Sequence, residues 1–197
     1  MNPLRVPSCL FVVQLSLVVL SFVAVGPARA NGLNPPPPPG STCNTTGSGT
    51  ICRATVDTTF FFASEFTCGS GKNNFDVNES GATHREYTVF YDQAGNQTTR
   101  ILHIRPLVGT FINAVTGKSV PESGDFVITR TFLTPGDTST QQVTVTGLFA
   151  KVVLPGGGII LLDAGKIVND PNGDIIFEAG THQFTHSEVT ELCAALA

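Results

Sequence analysis

Several residue groupings in this sequence have types and spacings that could do chemistry. His182 and His186 lie four apart, the spacing that sets two imidazoles on one helical turn around zinc. No HExxH surrounds them, and Phe184-Thr185 reads as a helix start falling between them, so no metal site is expected. Asp170-Pro171-Asn172-Gly173-Asp174 offers oxygens at alternate positions, as a calcium loop does. The EF-hand loop also needs Gly at its sixth position and Glu at its twelfth. Ile175 and Thr181 stand there, so a hairpin turn is the expectation. Pro155-Gly156-Gly157-Gly158 is rich in glycine but lacks the Gly-Lys-Ser/Thr and following helix of a phosphate loop. It reads as a strand connection, or as a mobile lid. No G-x-S-x-G elbow is present, and no cofactor is expected. Asn44-Thr45-Thr46, Asn78-Glu79-Ser80 and Asn96-Gln97-Thr98 fit the glycosylation acceptor pattern.

The best site hypothesis is the hairpin from Thr83 to Arg105. Its turn, Asp92-Gln93-Ala94-Gly95-Asn96, shares the pattern D-x-x-G-[DN] with residues 170–174. An Asp capping its own turn, then a Gly at positive φ, is the chemistry of a type I turn closed by a bulge. Counting outward, Tyr91 faces Gln97, Val89 faces Thr99, Tyr87 faces Ile101 and Arg85 faces His103. If this set points inward, Tyr87, His103 and Arg105 line a ligand site, with the polar groups orienting an acid or carbonyl at the mouth of an apolar interior. The competing register turns Phe90, Leu102 and Ile104 inward and leaves His103 and Arg105 in solvent, where an ion pair is the plainer role. Both registers stand open. In the second hairpin the same count sets Lys166 against Glu178, Ile167 against Phe177 and Val168 against Ile176, making Lys166–Glu178 a cross-strand charge pair.

The elements that must position these residues are strands. Residues 51–66 alternate, Phe75-Asp76-Val77 opens a second strand, and short β-branched or aromatic runs recur at 83–91, 97–105, 107–113, 126–133 and 141–149, with two or three more between Val152 and Phe177. Gly, Pro, Asn and Asp punctuate them. No helical period intervenes until Thr185-x-x-Glu188, a capping box ahead of Val189, Leu192, Cys193 and Leu196. The expected fold is all-β: an antiparallel β-barrel of about eight to ten strands with a short C-terminal α-helix at 186–196, and a β-sandwich as runner-up.

The chain opens with one Arg in MNPLRVPS, an uncharged apolar run from Cys9 to Val25, and Ala28-Arg29-Ala30. That is the layout of a cleaved secretory signal peptide over residues 1–30. The expected location is therefore secreted, with no stable membrane insertion after cleavage. Residues 31–50, with five consecutive prolines, read as a linker. Residues 51–197 then form one domain. Cys43, Cys52, Cys68 and Cys193 are an even set in an exported chain, so two disulfides are expected. Three pairings are possible. Cys43–Cys52 as a local clip with Cys68–Cys193 tying down the chain's end is preferred, and Cys52–Cys68 is the alternative. The formal net charge is −4 and no Lys/Arg run occurs, which argues against a nucleic-acid partner.

The segment LDAGKIVNDPNGDIIFEAGTHQF followed by LCAALA resembles an uncharacterised family of secreted β-rich proteins from high-GC Gram-positive bacteria. The resemblance implies export and pairing of Cys193 and brings no activity with it. The strand count and signal are more distantly similar to small secreted barrels of the lipocalin or allene-oxide-cyclase type, an analogy of fold alone.

Three functions compete. The first is a non-catalytic barrel holding a small apolar ligand, lined by some of the 14 Phe residues. The second is a cofactor-independent isomerase or cyclase, with His103, Tyr87 and Arg105 as acid, base or oxyanion partners. The third is a structural or surface-interaction protein with the proline segment as its stalk. A cavity of about 300 Å3 or more favours the first two. A His with a Tyr or carboxylate inside it favours the enzyme.

Overall fold

The structure, a computed structural model, describes residues 32–197; the signal-peptide reading of 1–30 lies outside them. Eight strands form one antiparallel sheet in sequence order: β1 Thr42–Thr46, β2 Gly49–Cys68, β3 Phe75–Tyr91, β4 Gln97–Asn113, β5 Ser119–Phe132, β6 Gln141–Leu154, β7 Gly158–Asn169 and β8 Ile175–His182. β1 and β8 are the edges, and among the described residues no ladder joins them. Several runs that read as separate strands are single long ones. Residues 75–91 are continuous through Gly81, and 97–113 are continuous through Pro106. Pro106 is tolerated because the register shifts between Ile104 and Leu107, and a bulge frees the ladder of the N–H that proline lacks.

Those bulges fall at one level across the sheet. β3 and β4 slip between Thr83 and Arg85, β4 and β5 between Ile104 and Leu107, β5 and β6 between Ser123 and Asp125, and β6 and β7 between Leu148 and Ala150. Each adds twist and bends its strand. The same line continues through Gly147↔Gly165↔Gly180, paired across β6, β7 and β8. Gly165 has φ +147, and a Cβ there would sit against the Ala179 carbonyl, so only glycine fits. The buried apolar residues form two clusters. One holds Val77, Phe111, Val120, Val152 and Leu161; the other holds Cys52, Val89 and Tyr91.

The helix α1, Thr190–Leu196, plugs the larger cluster with Leu192 and Leu196, both fully buried. Each contributes about 1.5–3 kcal/mol by leaving water. Cys193 is bonded to Cys68, and the Asn113 Nδ2 donates to the Leu196 carbonyl at 3.1 Å. The helix begins later than the expected 186–196 because the capping box does not form. Thr185 gives its N–H and Oγ1 to Asp163, and the Glu188 N–H bonds to the Gln183 carbonyl. Among the described residues no helix is long and apolar enough to cross a membrane.

At the other end Cys43 is bonded to Cys52, directly opposite it. The two disulfides thus follow the preferred pairing. The stretch read as a linker contains β1, and the proline segment ahead of it is held down. Asn34 exchanges backbone hydrogen bonds with Gly95 and Gln97, Leu33 packs on the Cys52–Val89–Tyr91 cluster, and the Tyr91 hydroxyl donates to the Pro35 carbonyl at 3.0 Å.

Both D-x-x-G-[DN] turns form as the residue types dictate. Asp92 Oδ1 accepts from the Asn96 N–H at 2.8 Å, and Asp170 Oδ1 accepts from the Asp174 N–H at 3.0 Å. Beyond them the simple count fails by one. Tyr91 does face Gln97, but Thr98 is bulged out, so Phe90 faces Thr99, Val89 faces Arg100, Tyr87 faces Leu102 and Arg85 faces Ile104. Ile176 is bulged likewise, giving Val168↔Phe177, Ile167↔Glu178 and Lys166↔Ala179. The expected Lys166–Glu178 pair is absent for that reason. Lys166 lies over the Phe177 ring, and Glu178 bonds His186 at 2.6 Å.

Candidate functional site

The register decides the fate of Tyr87, His103 and Arg105. Tyr87 shares a face with Val89, Leu102 and Ile104, with the Arg100 guanidinium 4.9 Å from its ring centre. His103 and Arg105 lie on the opposite face, where Glu86 is the cross-strand partner of His103. There a partly exposed network runs from Asp57 through His84, Glu86 and His103 to Asp125. Its closest links are His84–Asp57 at 2.6 Å and His103–Asp125 at 2.9 Å. Arg105 reaches Glu86 at 3.5 Å. The three residues expected to converge on a ligand are therefore not brought together. The two bulges at Thr98 and Arg105–Pro106 each reverse the alternation once.

A half-open pocket lies at the other end of the sheet. A cavity of about 530 Å3 is lined by Phe62, Ser64 and Phe66 of β2, Glu79 of β3, and Phe184, Thr185 and Ser187 of the segment after β8. Part of its wall is aromatic: the Phe66 ring stands 5.4 Å from Phe184 and 6.1 Å from Phe111, both edge-on. β2 bulges here, and Ser64 Oγ donates to the Val77 carbonyl at 2.6 Å. The segment after β8 turns sharply at Ser187, which holds φ at 59°.

Phe62, Glu79 and Phe111 are successive cross-strand partners, so a carboxyl sits in an apolar row. Behind it is a second. Glu122 of β5 is opposite Gly109 of β4, and a Cβ built on Gly109 would come 2.8 Å from Glu122 Oε2. Glycine leaves the gap in which the two acids meet. Glu79 is 8% exposed and Glu122 6%. Burial holds both carboxyls above the ordinary range, and the Glu79 charge raises Glu122 further, to about 8. Two carboxylates offer only acceptors, so the contact between them needs a proton. Without one, Glu122 Oε2 is buried and unpartnered.

A third buried carboxylate, Asp163, is fully satisfied. Its Oδ1 meets His182 Nδ1 at 2.9 Å, and its Oδ2 accepts from the Thr185 N–H and hydroxyl at 2.6 and 2.9 Å. The His182 Nε2 lies 3.2 Å from the Ala179 carbonyl. Burial opposes the charge on His182, but its bonds to Asp163 and Ala179 outweigh it and raise the pKa. Both ring nitrogens are then donors, and neither is free to act as a base. His186 has its own carboxylate, Glu178.

The chain matches no protein-family model, no curated protein and no solved structure. The geometry alone carries the functional reading. Glu79 and Glu122 did have a signal in the sequence: each keeps the alternate phase of an apolar set, Phe75-Val77-Glu79 and Val120-Glu122.

Proposed function

We propose that this is a secreted, non-catalytic protein that binds a small apolar ligand in the cavity bounded by Phe62, Phe66, Glu79 and Phe184. The observation that carries the reading is the cavity itself. Its 530 Å3 falls within the roughly 300–1,000 Å3 of small-molecule sites, and aromatic side chains with a few convergent polar groups, here Glu79 and the hydroxyls of Ser64, Thr185 and Ser187, are their usual make-up. The aligned bulges support a barrel-like curl, open at a seam between β2 and β8 that gives the ligand its entry. Two disulfides support an oxidising, extracellular setting. The isomerase or cyclase reading is weaker, because the one histidine paired with a buried carboxylate has no free nitrogen.

Trp is absent from the chain, so Phe62→Trp places a single fluorophore in the cavity wall. Its emission should shift to shorter wavelength and saturate as decanol is added. Emission that stays unchanged up to the solubility limit of decanol would overturn the proposal.

A further inference from the structure

We infer that the ligand is an apolar amine, its cationic head held by the Glu79–Glu122 pair and its body lying along Phe62, Phe66 and Phe184. The inference rests on the cavity reading above and names the chemistry of its occupant. Buried charges in proteins are paired or neutralised, because an isolated one costs several kcal/mol or more. Asp163 obeys that rule three times over, with His182 and both donors of Thr185. Glu79 and Glu122 do not. Among the described residues neither takes part in an ion pair, and Glu122 Oε2 has no hydrogen-bond partner. Arg85, the one arginine of β3, donates to Thr83 instead. Lys151 of β6 stands opposite Ser123, one position out of phase with Glu122, and so on the other face.

A pair sharing one proton carries one net negative charge against an aromatic wall. A monocation with an apolar body neutralises it and supplies the missing N–H donors. A carboxylate ligand would add a like charge. A neutral alcohol would supply one hydrogen bond and leave the charge. Without a ligand the pair keeps one proton, as its raised pKa values indicate, and a bound ammonium neutralises the one charge that remains.

The test is calorimetric titration of the purified protein at pH 7 with decylamine and decanoate, each below its micelle concentration, and with decanol below its solubility limit. Decylamine should bind at least about tenfold more tightly than decanol, equivalent to about 1.4 kcal/mol, and decanoate most weakly. In Glu79→Gln/Glu122→Gln the amine's advantage should fall to about twofold or less. It should persist in Asp174→Asn, which removes an exposed turn carboxylate and controls for general attraction to an acidic protein. Glu79→Gln alone serves if the double variant does not fold. Equal binding of amine and alcohol overturns this inference and leaves the apolar-ligand reading intact. So does an amine preference that survives in the glutamine variants. If none of the three probes binds, the cavity reading falls as well.

Discussion

The buried acid pair makes stability depend on pH with a sign opposite to that of most carboxylates. An Asp or Glu in an ion pair has a depressed pKa and stabilises the fold as pH rises. Glu122 goes the other way, from 4.5 to about 8 through burial and the neighbouring Glu79 charge. Between those values the folded chain holds a proton that the unfolded chain has released. Stability therefore falls as pH rises, by at most about 1.4 kcal/mol per pH unit for one proton. The contribution is fully present below pH 4.5 and lost as pH passes through 8. His182 is also raised and adds a loss of the same sign, but only above its ordinary pKa of 6.5.

The range from pH 5.0 to 6.5 thus isolates the acids. The wild type should lose roughly 2 kcal/mol across it. With a urea dependence of about 2 kcal/mol per molar, the unfolding midpoint drops by about 1 M, measured with the disulfides intact. Glu79→Gln/Glu122→Gln should flatten the profile. Glu122→Gln alone should raise the midpoint at pH 6.5 above that of wild type, since its amide donates to Glu79 without needing a proton. A flat wild-type profile, or a double variant that keeps the slope, would refute the shared-proton account.

Three other perturbations probe what holds the cavity end together. Replacing both Cys68 and Cys193 with Ala opens a loop with a sequence separation of 125. It should cost up to about 5 kcal/mol by chain entropy, read as a lower thermal midpoint that is no longer sensitive to reductant at this bond. His182→Ala strands the Asp163 charge among buried atoms and should cost about 3–5 kcal/mol. An Asp163→Asn/His182→Ala double variant should recover part of that loss in the same urea titration. Gly109→Ala puts a methyl 2.8 Å from Glu122 Oε2. Overpacking of about 1–3 kcal/mol is expected, together with a shallower pH slope as the two carboxyls are forced apart.

How far the sequence could be read depended on whether alternation ran unbroken. The all-β class, the two turns and both disulfides were legible because each rests on local chemistry: an Asp and a Gly at fixed offsets, or two cysteines brought face to face by a hairpin. The expected site was not, because it rested on counting through bulges. A single inserted residue at Thr98 and another at Arg105–Pro106 each move every later side chain to the opposite face. Tyr87 and His103 were thereby parted, although the sequence makes them near neighbours. Neither insertion has a composition that marks it; Thr98 is an ordinary strand residue, and Pro106 reads more simply as a strand end. Glu79 and Glu122 lay within reach of a period-two reading, since each falls in phase with buried valines and phenylalanines on its own strand. Glu79 was hidden by the apparent break at Gly81, which turned one strand of 17 residues into two short ones and left it in an acceptor motif for glycosylation; Glu122 lay ahead of the run read from Phe126, in a stretch that belongs to β5. The general lesson concerns charge and phase together. A carboxyl that keeps the apolar phase of a long strand either has a buried partner or is waiting for one. Asp163 has His182 and Thr185, whereas Glu79 and Glu122 have only each other, and that difference is what makes their end of the sheet the place to look for a ligand.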